Sequence, residues 1–328
     1  MTRRRTLICG AVGGVLAAPF ARHAESAVKV YRLGYLSTGQ SYAEWTLRDI
    51  FVASMRESGW IEGRNFTVDS RWAQGHSERL GAMAAELVRQ EVDLIFCAGS
   101  PVVTAAKSAT ATIPIVFFYI GDPVRSGFVA SLARPGGNVT GMGGLGKDLH
   151  AKQLKLLTEV APRATRVALF VNPAIPFHNA ALAEVEATAR NRGVVLRAVE
   201  LRSPDDIEAA FAPAARERAD ALHVFGQGFL FAQGARVARL AVEQRLPAVI
   251  PFEEVAKAGL LMSYAGRSVD DVRRLPYFID RILKGAKPAE LPVEQPTRFY
   301  LTLNLKTAKA IGLTVPQSLL LRADEVIE

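Results

Sequence analysis

Cysteine is almost missing from this 328-residue chain, which has only Cys9 and Cys97. Cys9 falls in an N-terminal apolar run that reads as a leader, so Cys97 stands alone and an internal disulfide framework is excluded. Cys97 ends the stretch Asp93-Leu94-Ile95-Phe96-Cys97 and reads as a small core residue. Histidine is nearly as scarce. Past the leader only His76, His150, His178 and His223 remain, far apart in sequence. They form neither the helical pair nor the Cys/His spacing of a metal site, so each reads as a surface or capping residue and no metal or cofactor is expected. No Gly-x-Ser-x-Gly elbow is present, and no catalytic residue is assigned. Tracts of Gln/Asn, Ser or acid are absent. With 49% apolar and 22% charged residues, that composition excludes long disordered regions. The formal charge is +8, but the basic residues do not cluster: Arg216-Glu217-Arg218 and Asp270-Asp271-Val272-Arg273-Arg274 mix acids among them. A nucleic-acid footprint needs clustering, so no such partner is expected.

The chain also has no apolar run near its start long enough to span a bilayer. Leu7 to Ala18 (LICGAVGGVLAA) is too short for that, and it follows Arg3, Arg4 and Arg5. The combination reads as a signal peptide over residues 1–27 and predicts export to the periplasm. Arg4-Arg5-Thr6-Leu7-Ile8 also fits a twin-arginine pattern. Ala18, Ala21, Ala24 and Ala27 offer several cleavage points.

What is present is a long alternation of short apolar runs with amphipathic stretches, the pattern of parallel sheets covered by helices. Strands are expected at Val30 to Leu36, Asn65 to Arg71, Asp93 to Cys97 and Ile115 to Tyr119, with helices between them. In Leu80, Met83, Ala84, Leu87 and Val88 the apolar positions recur at three and four, so that helix lays one face on a sheet. The pattern breaks at the glycine-rich segment from Arg134 to Gly146, then restarts at a helix near Leu149. A length of 328 residues favours two cores over one. The expected architecture is α/β: two Rossmann-like lobes with parallel sheets joined by a hinge. The first lobe takes residues 28–143 plus 264–292 and the second 144–263 plus 293–328.

Gly141 to Lys147 matches a phosphate loop except at its last position, where Asp148 replaces the Ser or Thr that would hold Mg²⁺. The glycines read better as a joint that absorbs backbone rotation when lobes close. More telling is a recurring turn in which a strand runs at once into small or polar residues that open a helix. Ser37, Thr38 and Gly39 do this after the first strand, Gly99 and Ser100 after the third, and Tyr119 to Asp122 after the fourth. Asn172 and the pair Gly226 and Gln227 repeat it in the second lobe. Ligands of open parallel sheets sit at these carboxyl ends, where helix N-termini present free N–H groups. Asp122 is the expected partner of a ligand ammonium, and Gly99 and Ser100 of its carboxylate. Tyr42, Tyr119, Phe225, Phe229 and Tyr264 offer aromatic surface near the same edge. Thr140 and Gly141, in the joint, complete the candidate contacts.

Several segments resemble, in order, the ABC transporter substrate-binding protein family that includes tryptophan and tyrosine importers of the TrpX kind. They include Ile113-Pro-Ile-Val-Phe117, Gly121-Asp-Pro-Val124, Ser126 to Gly141, Leu261-Met-Ser-Tyr264, Ile282 to Ala289, Leu291 to Thr297, Asn304 to Ala310 and Arg322 to Ile327. The resemblance implies a type 1 periplasmic-binding fold, a ligand cleft between the lobes, and delivery to a permease and ATPase by a monomeric, non-enzymatic binding protein. It makes an aromatic amino acid the leading ligand. The chain departs from its relatives at Gly226-Gln227-Gly228, where they often carry Gly-Asp-Pro. Loss of that carboxylate points to a less cationic ligand. A sensory protein that presents its closed form to a receptor or kinase would share these features, and neighbouring permease and ATPase genes would separate the two.

Overall fold

In the computed structural model the described residues are 29–39, 45–143 and 148–328. The expected leader, Tyr42 and residues 144–147 of the glycine segment lie outside them.

The first sheet holds β1 (Tyr31–Ser37), β2 (Phe66–Trp72), β3 (Leu94–Ala98), β4 (Ile115–Phe118) and β5 (Val139–Gly141) in the order β2-β1-β3-β4-β5. All its pairings are parallel. Helices α1 (Arg48–Glu57), α2 (Leu80–Arg89) and α3 (Ser100–Ala109) connect the strands. Because side chains alternate along a strand, β1 sends Leu33 and Tyr35 to one face and Leu36 to the other. On the first face Tyr35 and Phe51 each stack on Phe96, at 4.5 and 4.9 Å between ring centroids. Leu87, Ile95 and Phe117 fill the second face.

The glycine-rich segment, read from sequence as a joint with no apolar periodicity, also contains a strand. Val139–Gly141 adds to the sheet edge as β5, and the Met142 amide donates to the Phe117 carbonyl at 2.9 Å. Gly141 permits it, with φ +145 and a hypothetical Cβ only 2.0 Å from the Phe117 carbonyl oxygen. Backbone proximity, invisible in apolar periodicity, set that glycine.

The chain then builds the second lobe through α4 (Leu149–Val160), β6 (Arg166–Val171), α5 (Pro176–Arg192), β7 (Val195–Glu200), α6 (Ile207–Arg216) and β8 (Ala221–Val224). It continues with α7 (Leu230–Glu243), β9 (Ala248–Ile250), α8 (Glu253–Lys257) and β10 (Met262–Ala265). Next, α9 (Ser268–Leu283) crosses back to pack on α1 and β4, with Trp60 Nε1 donating to Asp280 at 3.0 Å. The chain returns once more as β11 (Tyr300–Asn304), α10 (Leu305–Ala310), α11 (Gln317–Leu320) and β12 (Glu325–Ile327). The second sheet runs β12-β11-β10-β9-β8-β6-β7. Its β10–β11 pair is antiparallel, because the chain re-enters after that excursion. Tyr264 and Ala265, assigned by sequence to the first lobe, still pair with β11, so the handover falls after 265. On the way back the buried Leu291 and Val293 still bond to the first lobe, through Thr140 and the Leu132 carbonyl.

Candidate functional site

The carboxyl ends of both sheets face each other across a cavity of about 400 Å³, within the usual range for small-molecule sites. Tyr119, just past β4, spans the gap. Its backbone is left-handed, with φ +58. Its hydroxyl donates to the Pro251 carbonyl of the second lobe at 2.5 Å, and its ring stacks on Phe252 at 5.1 Å. The lobes also meet where Gly121 faces Phe177. A Cβ on Gly121 would lie 2.3 Å from that ring, so only glycine fits this approach.

Ten of the sequence candidates line the cavity: Ser37, Thr38, Gly39, Gly99, Ser100 and Tyr119 from the first lobe, with Asn172, Gly226, Gln227 and Phe229 from the second. Ser100 opens α3 and Ser268 opens α9, so two helix N-termini point partial positive charge at the cavity. Arg202 also reaches the wall, with its guanidinium paired to Glu200 at 2.7 Å. Among the described residues no Asp or Glu side chain lines it. The electrostatics suit a carboxylate.

The other candidates are engaged elsewhere. Asp122 does not line the cavity: its Oδ1 accepts from the amides of Val124 and Arg125, both at 3.0 Å, so the carboxylate caps its own turn. Thr140 is fully buried and donates to the Leu291 carbonyl at 2.7 Å. Gly141 lies against the Phe117 backbone. The Tyr264 ring stacks on Phe299 with Lys152 over it. Phe225 lies behind the cavity wall, packed against His150 and His178.

Sequence reasoning missed most of the aromatic lining. Trp45 stacks on Tyr35 at 4.9 Å, Trp72 meets the same ring edge-on, and Phe118, Phe231 and Phe252 continue the apolar wall. Trp72 and Phe118 end strands β2 and β4, and the strand-end rule that found Ser37 would have flagged both.

It also misplaced three histidines. His150, His178 and His223 are buried in the second lobe, not at its surface, because Phe225 packs among them: His150 stacks on its ring at 3.9 Å, and the other two meet it edge-on at 5.2 Å. The Asn172 amide donates to His178 Nδ1 at 3.0 Å, so His178 Nε2 carries the proton and donates to the Gly226 carbonyl at 3.1 Å. Gln153 lies between the other two, its Oε1 2.8 Å from His150 Nδ1 and 2.9 Å from His223 Nε2. Burial lowers all three, His150 to about 3, His178 to about 4 and His223 well below its usual value, so the rings are neutral at physiological pH. Beside them Gln227 bridges strand ends, accepting from Asn172 Nδ2 at 2.9 Å and donating to the Leu201 carbonyl at 2.7 Å. No group of three or more potential ligands with metal-holding geometry occurs among the described residues.

A family profile described as ABC transporter substrate binding protein matches residues 44–327. A tyrosine-binding protein of Clostridioides difficile is 24% identical over 268 residues, covering 80% of this chain and 75% of that one. The crystal structure of a conserved domain protein from Vibrio cholerae aligns with a TM-score of 0.83 at 23% identity, over 91% of this chain and all of that one. An ABC domain in complex with L-Trp from Streptococcus pneumonia aligns with a TM-score of 0.80 at 22% identity, over the same shares.

Proposed function

The chain belongs to the ABC transporter substrate-binding protein family, and we propose that its cleft captures an aromatic amino acid and presents it, lobes closed, to the permease of an importer. Its fold is the two-lobed α/β fold of type 1 periplasmic-binding proteins, and it is a binding protein, not an enzyme. The observation that carries the ligand reading is the cavity wall. Aromatic rings from both lobes surround a space whose polar end is made of helix N-termini without an acid. An aromatic side chain buries its area against the rings while its carboxylate meets the N–H groups that open α3 and α9. The relatives named for tyrosine and for L-Trp support the same class. Ser37, Thr38, Gly39, Gly99 and Ser100 would hold the ligand from the first lobe and Asn172, Gly226 and Gln227 from the second, with Tyr119 between them.

Substrate-binding proteins of ABC importers act outside the cytoplasm. Periplasmic location after removal of residues 1–27 and a monomeric state belong to this proposal, and the leader pattern in the sequence supports the first. A thermal-shift panel of amino acids tests the ligand class. A ligand at 100 times its Kd stabilises the folded protein by about 2.7 kcal/mol. L-tyrosine, L-tryptophan or L-phenylalanine should give the largest shift. A shift from sugars or aliphatic amino acids with none from these three would refute the reading.

A further inference from the structure

Of the buried histidines, only His150 reaches the cavity with a ring nitrogen that has no partner among the described residues. His178 also lines it, but both its nitrogens are engaged, and His223 sits behind the wall. We propose that His150 is a specificity-determining residue: its Nε2 lone pair accepts a hydrogen bond from an N–H or O–H group at the end of the ligand that enters the second lobe. The inference rests on the reading of the cleft as a ligand site and names the chemistry that one of its walls selects.

Gln153 is fully buried. Its Nε2 lies 2.7 Å from the Tyr264 carbonyl oxygen. A carbonyl only accepts, so the amide can face it only with NH₂. The opposite end of the amide, Oε1, therefore faces the two imidazoles and can only accept from them. His150 must carry its proton on Nδ1 and His223 on Nε2. A neutral imidazole protonated on Nδ1 has a bare Nε2, and among the described residues nothing donates to it. The stack on Phe225, with an interplanar angle of 18°, holds the ring plane, and a half-turn within that plane would take Nδ1 away from Gln153 Oε1. Nor does it become a donor by taking a second proton, since burial holds its pKa near about 3.

A ligand that placed an apolar edge against His150 would strand a desolvated acceptor, and that loss is what creates selectivity. Sites built to hydrogen-bond a donor reject analogues that lack it far more strongly than apolar pockets reject a change of one methylene. A phenol O–H, an indole N–H and an ammonium all supply the donor. Gln153 acts through His150 as a positioning residue, and His223 through Gln153.

Calorimetric titration of the whole protein with matched pairs separates the three sources. L-tyrosine against L-phenylalanine reports the phenol, L-tryptophan against 1-methyl-L-tryptophan the indole, and L-tyrosine against 3-(4-hydroxyphenyl)propionate the ammonium. In the wild type at least one pair should favour the donor by about tenfold or more. His150→Phe keeps a ring on Phe225 but removes the acceptor, and should reduce that one ratio to less than about twofold. Binding with every ratio unchanged in the variant overturns the role of His150 and leaves the function reading intact. Absence of binding by all of these compounds overturns both. Should His150→Phe not fold, the ¹⁵N resonances of wild-type His150 decide. A bare Nε2 that moves on ligand saturation supports the assignment, and a protonated or unmoved Nε2 overturns it.

Discussion

At the scale of single residues, the cleft is built from small side chains that let the lobes approach and from aromatics that fill what remains. Gly121 is the sharpest case, since its missing Cβ makes room for the Phe177 ring. Gly121→Val should leave each lobe folded, shift the denaturation midpoint little, and weaken ligand binding by about tenfold or more, because the closed form must now accommodate a steric overlap. Titration calorimetry alongside urea denaturation checks it, and unchanged affinity would contradict the closed packing. Residues such as Ser37, Gly99 and Asn172 were legible in the sequence because a strand followed at once by a helix places its turn at the ligand edge. Asp122 satisfied the same rule and still turned away. Two backbone amides of its own turn lie within reach of the carboxylate, and a local hydrogen bond of that kind outcompetes a distant ligand. His150 was illegible for the opposite reason: its burial comes from Phe225, whose packing against it only the folded lobe reveals.

At the scale of elements, the buried histidines join α4, α5 and β8 to the turns that carry the site, and they set how stability responds to acid. Their folded pKa values lie below the ordinary 6.5, at about 3 for His150 and about 4 for His178, so the unfolded chain takes up these protons first. Stability should therefore fall as pH drops from about 6.5 toward 4, each such proton contributing about 1.4 kcal/mol per pH unit. Asp271 in the first turn of α9 opposes this. Burial pushes its carboxyl from 3.8 to about 7, so in that window the folded protein takes up its proton first. Burial also raises Glu254 in the same direction. Three histidines against two acids leave a net fall, and Asp271→Asn should steepen it. Urea midpoints at pH 7, 5.5 and 4.5 measure both slopes; a flat wild-type profile would count against neutral buried imidazoles. Long elements with clear periodicity, such as α2 and α4, were readable from sequence. The three-residue strands β5 and β12 were not, since so short a strand depends on its neighbour's backbone and not on its own pattern.

At the scale of the whole molecule, two sheets with the same winding face each other, and the chain crosses between them at the glycine segment, before α9 and after Val293. The two lobes followed from length and from the restart of the βα pattern, while Tyr264 and Ala265, given by the sequence reading to the first lobe, pair with β11 in the second sheet. Tyr119 to Pro251 and Gly121 to Phe177 bridge the two lobes across the gap. Such contacts couple ligand to shape: a ligand that touches both lobes favours the closed form by its differential affinity for it. Small-angle X-ray scattering with and without whichever of L-tyrosine or L-tryptophan stabilises the protein most tests that coupling directly. The radius of gyration should be larger in the free protein and fall on saturation, with Gly121→Val showing a smaller change. An equal radius with and without a ligand that calorimetry shows to be bound would contradict closure of the two lobes upon it.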